Sequence, residues 1–271
     1  MSLAPALPRS VCVRLTRRCN AACGFCQAPD TDRDVVSERD LRGLCAWLTG
    51  REVESVKLSG GEPTVRRDLP SIICLASAAG LRVTVITNGI LLRDEVLDAL
   101  AASDGELKFS VHGLGVDNDL VLGRTSFDQV VGNVKRARLA GVPCSINTVV
   151  TRGNRHRLRP LAQLAVDLDC RKITFIPFVP RGRGLAARST FELTPADRAL
   201  VAEQVAALAG ELARTLVVRE IDLRTKPYWI VENNLSLVVE SWIEDRDRVV
   251  LTSDELRRLI AVDDDRAELT P

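Results

Sequence analysis

Histidine is scarce in this 271-residue chain, with two residues, and only five of its 37 basic side chains are lysine. The arginine bias fits a GC-rich genome as well as any function. No apolar run approaches the roughly 18–20 residues of a membrane span. The start, Met1 to Arg9, lacks a charged segment followed by an apolar one, so a secretory signal is not expected. A net charge of +1 gives no general ground for a nucleic-acid or polybasic membrane partner. Eight cysteines are too few for a disulfide-dense scaffold, and in the cytoplasm, the expected location, they stay reduced. The length, with 46% hydrophobic residues, suits one large domain or a core with a small appendage.

Three cysteines fall together as Cys19, Cys23 and Cys26, a C-x3-C-x2-C pattern. The other five, Cys12, Cys45, Cys74, Cys144 and Cys170, stand singly among apolar neighbours and read as small core residues. Zinc would want a fourth ligand, yet no further Cys lies at finger spacing, and His112 and His156 are distant. Three thiolates in a short loop suit an iron–sulfur cube with one iron left open to chemistry.

Leu58-Ser59-Gly60-Gly61-Glu62-Pro63 follows, ending a predicted strand before a helical pattern. Its glycines allow unusual dihedrals and a close backbone approach to a ligand, and Pro63 fixes the exit. The Cys loop and Gly-Gly-Glu-Pro, about one βα unit apart, together resemble the radical SAM superfamily. The resemblance implies that Cys19, Cys23 and Cys26 hold one 4Fe–4S cluster whose fourth iron chelates S-adenosylmethionine (SAM). It also implies that Gly60, Gly61 and Glu62 border SAM. Phe25 matches the aromatic residue usual before the last Cys.

Strands are predicted at 11–16, 54–59, 81–87, 106–111, 144–150 and 172–176. Helices lie between them at about 37–48, 67–79, 92–102, 126–140 and 157–168. Six apolar strands alternating with five helices argue for a parallel, doubly covered α/β sheet. Functional loops then gather at the strands' C-terminal ends, where both motifs sit. The resemblance implies a partial (β/α)6 barrel over residues 1–180, and the element count agrees. Residues 181–271 read as a small C-terminal α+β cap. It holds a helix over 194–214 capped by Thr194, a strand over 215–223, a hairpin turning at Asn233-Asn234 and a helix near 253–260.

Several residues fall at the predicted mouth. Thr87-Asn88-Gly89 ends the third strand and reads as a simple turn or as a SAM neighbour. Ser110, Arg124 and Asn147 occur in an order that resembles viperin and the molybdenum-cofactor GTP cyclases within that superfamily. There the Ser and Asn contact the SAM ribose and the Arg pairs with its carboxylate, a geometry that suits a guanidinium. Arg124 also reads as a solvated charge at a helix start. Asn147, inside an apolar strand, needs a polar partner wherever it is buried. His112 is either a substrate-facing proton donor, and so the candidate catalytic residue, or a hydrogen-bonded rim residue. Two basic clusters, 152–155 and 181–183, follow strands five and six. They are read either as an anion site or as a basic surface neutralised by the acidic stretch over 240–268. Arg183 lies in a Pro-x-Gly-Arg-Gly pattern that the family places near SAM.

The resemblance implies an enzyme. A flavodoxin or ferredoxin reduces the cluster, SAM is cleaved to methionine and a 5′-deoxyadenosyl radical, and the radical abstracts hydrogen from substrate. The last 101 residues hold no Cys, so no auxiliary-cluster domain is expected, nor is a leader-peptide-binding module before the barrel. A small, anionic metabolite such as a nucleotide, sugar phosphate or natural-product intermediate is the leading substrate class. A peptide-modifying enzyme, for example an epimerase acting on a ribosomal precursor peptide, is the alternative.

Overall fold

The computed structural model describes residues 6–27 and 36–268, with side chains to residue 261. Its first half repeats a strand and a helix: β1 (Ser10–Arg14), α1 (Glu38–Thr49), β2 (Ser55–Ser59), α2 (Leu69–Ala78), β3 (Arg82–Thr87), α3 (Asp94–Ala102) and β4 (Glu106–Ser110). Two helices, α4 (Val116–Leu122) and α5 (Phe127–Leu139), precede β5 (Cys144–Val150), and α6 (Leu158–Asp167) precedes β6 (Lys172–Pro177). The short α7 (Arg183–Ala186) and α8 (Arg188–Phe191) lead into α9 (Pro195–Glu211). The chain ends with β7 (Val217–Glu220), β8 (Tyr228–Val231), β9 (Leu237–Glu240), β10 (Arg248–Leu251) and α10 (Ser253–Glu268). The six-strand βα core is where the apolar periodicity puts it, while α4, α7 and α8 are too short to carry a periodic signal.

Local chemistry sets the helix starts. Ser37 Oγ accepts the Asp40 N–H at 3.1 Å while the Asp40 carboxylate accepts the Ser37 N–H at 2.9 Å, a reciprocal cap for α1. Thr194 and Asp197 cap α9 in the same way, with Pro195 in its first turn. The apolar stripe of α1 buries Leu44, Trp47 and Leu48 in the core, each leucine contributing roughly 1.5–3 kcal/mol of transfer free energy. Of the five scattered cysteines, Cys12, Cys45, Cys144 and Cys170 are buried as expected, but Cys74 is exposed. It sits on α2, where Leu69, Ile72, Ile73 and Ala76 form the core face.

All ten strands form one sheet, in the order β10-β9-β8-β1-β2-β3-β4-β5-β6-β7. The region expected as a cap therefore extends the barrel sheet at both edges. β7 pairs parallel with β6, and β8 pairs parallel with β1 before turning antiparallel into β9. Only residues 221–227 join β7 to β8, and a chain that short spans at most about 28 Å from one strand to the next. The sheet must therefore curl until its two far parallel strands face each other across a seam. Strand register then fixes which side chains enter the barrel. Cys12 lies level with Lys57, Arg14 with Ser59, and Ser110 with Asn147.

A buried ion network locks the added strands in place. Arg14 on β1 donates to Glu240 at 2.6 and 2.9 Å and to Glu232 at 2.5 Å, and Arg17 reaches Glu232 at 2.5 Å. Arg181, 4% exposed, bonds Asp247 at 2.6 and 2.8 Å and Glu240 at 3.1 Å. Arg155 pairs with Asp197 at 2.8 Å. Two of the four arginines in these clusters, Arg155 and Arg181, are thus engaged by acids of this chain, Arg181 by the acidic C-terminal stretch.

Candidate active site

The Cys loop leaves β1 and the Gly-Gly-Glu-Pro segment leaves β2, so both lie at the C-terminal ends of adjacent parallel strands. Gly61 N–H donates to Thr16 O at 2.7 Å and Glu62 N–H to Arg18 O at 2.8 Å. A Cβ at Gly61 would lie 2.4 Å from Arg18 O, and one at Gly60, whose φ is +150°, would lie 2.3 Å from Thr16 O. The glycine pair thus admits the Cys loop's own backbone while also bordering the cavity beside it.

Glu62 is the centre of a rigid clamp. Its Oε1 accepts from Thr64 N–H (3.1 Å), Thr64 Oγ1 (2.7 Å) and Thr87 Oγ1 (2.7 Å), and its Oε2 accepts the Asn88 N–H at 2.6 Å. Burial raises its pKa, against the pull of these four donors. Asn88 in turn donates from Nδ2 to Asn20 Oδ1 at 2.7 Å, tying the end of β3 to the Cys loop.

Cys19, Cys23, Cys26, Phe25, Gly60, Gly61, Glu62, Thr87, Asn88, Ser110 and His112 all line one cavity of about 230 Å³. Gln27, Ser59, Ile86, Leu122, Val149 and the Ile176–Val179 segment complete its walls. Apart from Ser59, which opens the Gly-Gly-Glu-Pro segment, these positions carried no motif and become visible only when the strands are aligned. Phe25 is buried, edge-on to His112 (4.9 Å between centroids) and to Phe191 (5.8 Å).

Three further expected residues, Arg124, Arg183 and Asn147, do not line that cavity. Arg124 is exposed and donates from Nη1 to Asn20 O at 2.9 Å, bracing the Cys loop from outside. Arg183 is exposed on α7, whose Gly184 N–H donates to Cys26 O at 3.3 Å, so that loop also packs on the cysteines. Asn147 sits level with Ser110 but lines a second, deeper cavity, where its buried Oδ1 has no hydrogen-bond partner.

His112 Nδ1 accepts the Val149 N–H at 3.1 Å, which leaves Nε2 as the protonated nitrogen. Burial pushes its pKa down to about 4, so the ring is a neutral hydrogen-bond donor at physiological pH rather than an acid. Asn118 and Asn154 hold its backbone N–H and C=O at 2.9 Å each.

The three loop cysteines are placed as ligands of an iron–sulfur cluster would be. Among the described residues no three metal-binding side chains converge on one metal position, whereas these thiols border one shared space. Burial, followed by the neighbouring Cys26 and Cys19, pushes the Cys23 thiol up to about 12. Thiolates in this setting need a cationic partner, and cluster iron supplies one.

A parallel barrel with such a loop on its first strand defines a class of cofactor-dependent enzymes, and sequence comparison places the chain in one. The radical SAM superfamily profile matches residues 13–165, and the chain belongs to that superfamily. A protein named "Probable GTP 3',8-cyclase" from Saccharolobus islandicus (strain Y.N.15.51 / Yellowstone #2) is 33% identical over 180 residues, covering 65% of this chain and 58% of that protein. The PqqA peptide cyclase of Xanthomonas euvesicatoria pv. vesicatoria (strain 85-10) is 32% identical over 208 residues, 74% of this chain and 55% of its own. The chain thus spans less than two thirds of the length of these relatives. Streptococcus suis SuiB bound to precursor peptide SuiA shares the fold, with a TM-score of 0.73 at 17% identity over 86% of this chain and 59% of SuiB. No helix among the described residues is long and apolar enough to cross a membrane.

Proposed function

We propose that this protein reductively cleaves SAM and abstracts hydrogen from a small metabolite held inside the barrel. The observation that carries the reading is the single cavity shared by the three loop cysteines, the Glu62 clamp, Ser110 and His112. A 4Fe–4S cluster bound there, reduced by a flavodoxin or ferredoxin, would supply the one-electron chemistry that cleaves SAM. Cys19, Cys23 and Cys26 would hold that cluster. Glu62, pinned by four donors, keeps Gly60, Gly61, Thr87 and Asn88 as a fixed wall for SAM. Phe25 packs beneath the loop, while Arg124 and the Arg183 segment brace it from outside. Ser110 and the His112 Nε2–H offer polar contacts to whatever enters, and the apolar Ile86, Leu122, Val149 and Phe178 keep water away from the reacting centre.

Anaerobic reconstitution tests this reading. The expected result is roughly four irons per chain and 5′-deoxyadenosine from SAM with dithionite, both lost in Cys19→Ala. Absence of iron, or of 5′-deoxyadenosine from the loaded protein, overturns it.

The likeness to the PqqA peptide cyclase and to SuiB with its precursor peptide supports a second reading, modification of a ribosomal peptide. Deuterium transfer into 5′-deoxyadenosine from labelled small anions, as against a labelled precursor peptide, separates the two.

A further inference from the structure

Three of the chain's five lysines, Lys57, Lys108 and Lys172, lie on barrel strands. Register turns Lys57 and Lys108 inward: Lys57 sits level with Cys12, and Lys108 level with Ile86, which lines both cavities. Lys57, Lys108, Asn147, Arg219 and Tyr228 border the deeper cavity, of about 210 Å³. Cys26, Ser59, Gly60, Ile86, Ile176 and Leu223 wall both this cavity and the cluster-side one, so the two adjoin.

The charges here do not balance. Lys108 is 5% exposed, yet its ammonium makes no ion pair or hydrogen bond among the described residues. Burial, and then Lys172, pull its pKa down to about 8. Lys57 meets only the face of Tyr228, 5.5 Å from ammonium to ring centroid. Arg14 also borders the cavity, but Glu232 and Glu240 already neutralise it. Glu106 is the one carboxylate acting on Lys108, against Lys57, Lys172 and Arg219. Two buried amines facing a single nearby carboxylate cost stability, and a bound anion would offset that cost.

We propose that the deeper cavity binds an oxyanion of the substrate, phosphoryl or carboxylate, on Lys57 and Lys108 with Arg219 at its outer wall. The cavity admits a phosphate or diphosphate group and adjoins the cluster-side cavity, so the rest of the substrate extends toward the cysteines. That orientation rests on the reading of the active site given above; the anion site itself does not.

Calorimetric titration of the full chain with pyrophosphate, and separately with malonate, tests the site without SAM or cluster. Pyrophosphate is expected to bind and to raise the melting temperature, and Lys108→Met or Lys57→Met to weaken binding at least tenfold. Preference for malonate would assign the site to a carboxylate. Lys108→Met should itself melt no lower than the parent, because it removes an uncompensated buried charge. Equal binding by parent and Lys108→Met overturns the proposal, as does transfer of the loss to the exposed-mouth variant Arg152→Gln. A Lys108→Met that melts lower and retains anion binding overturns it too, since the amine would then be structural. Failure of anion binding leaves 5′-deoxyadenosine formation untouched, and the converse holds.

Discussion

The Glu62 carboxylate and the backbone N–H of Asn88 meet at 2.6 Å across the C-terminal ends of two neighbouring strands. Glu62→Gln offers one oxygen where four donors converge, so its amide must face a donor. An unsatisfied buried donor costs about 1–3 kcal/mol. Urea denaturation should show a loss of that size, and the variant should bind SAM more weakly because Thr87 and Asn88 lose their anchor.

The glycine pair supplies a second, contrasting test. Gly61→Ala drives a methyl to within 2.4 Å of Arg18 O, a backbone atom that cannot step aside without moving the Cys loop. It should lower both stability and reconstituted iron. Gly132→Ala, inside α5 with nothing within 4 Å of the new Cβ, should stabilise by about 0.5–1 kcal/mol and leave iron unchanged. Thermal melts and iron assays on the two variants compare them directly.

How far the sequence reveals this site differs from motif to motif. The Cys loop and Gly-Gly-Glu-Pro are legible because their chemistry depends on neighbours along the chain. Lys108 is not, since the alternation Glu106-Leu107-Lys108-Phe109-Ser110 reads equally as a strand with a solvated polar face, whereas here that face lines the barrel. The pairing of β8 with β1 is equally hidden: Val13 and Val231 meet only in the folded sheet. Arg181 could be read as anion-binding because its partners, Glu240 and Asp247, lie some 60 residues further on.

Arg181 therefore carries a structural prediction. Replacing it with Gln leaves Asp247 without its buried partner and Glu240 with Arg14 alone, a loss of about 1–3 kcal/mol. The exposed Arg152→Gln should change stability by no more than about 0.5 kcal/mol. Chemical denaturation of both variants at low and moderate salt checks the contrast.

His112 predicts a pH dependence of stability. Its folded pKa, about 4, lies below the ordinary 6.5, so the unfolded chain takes up the proton first. Between those values the unfolded state binds more protons, and stability falls as pH drops, by on the order of 3 kcal/mol over the interval. His112→Asn keeps an acceptor for the Val149 N–H without titrating. Its loss between pH 7 and pH 4.5 should be smaller than the parent's, as read from urea midpoints across that range.

The position of β8 beside β1 also constrains how the chain can be born. β1 emerges from the ribosome early, but its second neighbour lies more than 200 residues downstream. At about 5–20 residues per second, some 10–40 s of synthesis pass before that neighbour exists. Through that interval β1 has an unpaired edge, and Arg14 awaits the carboxylates of Glu232 and Glu240. Translation speed, and any chaperone that shields the exposed edge, would then govern how much of the nascent enzyme escapes aggregation.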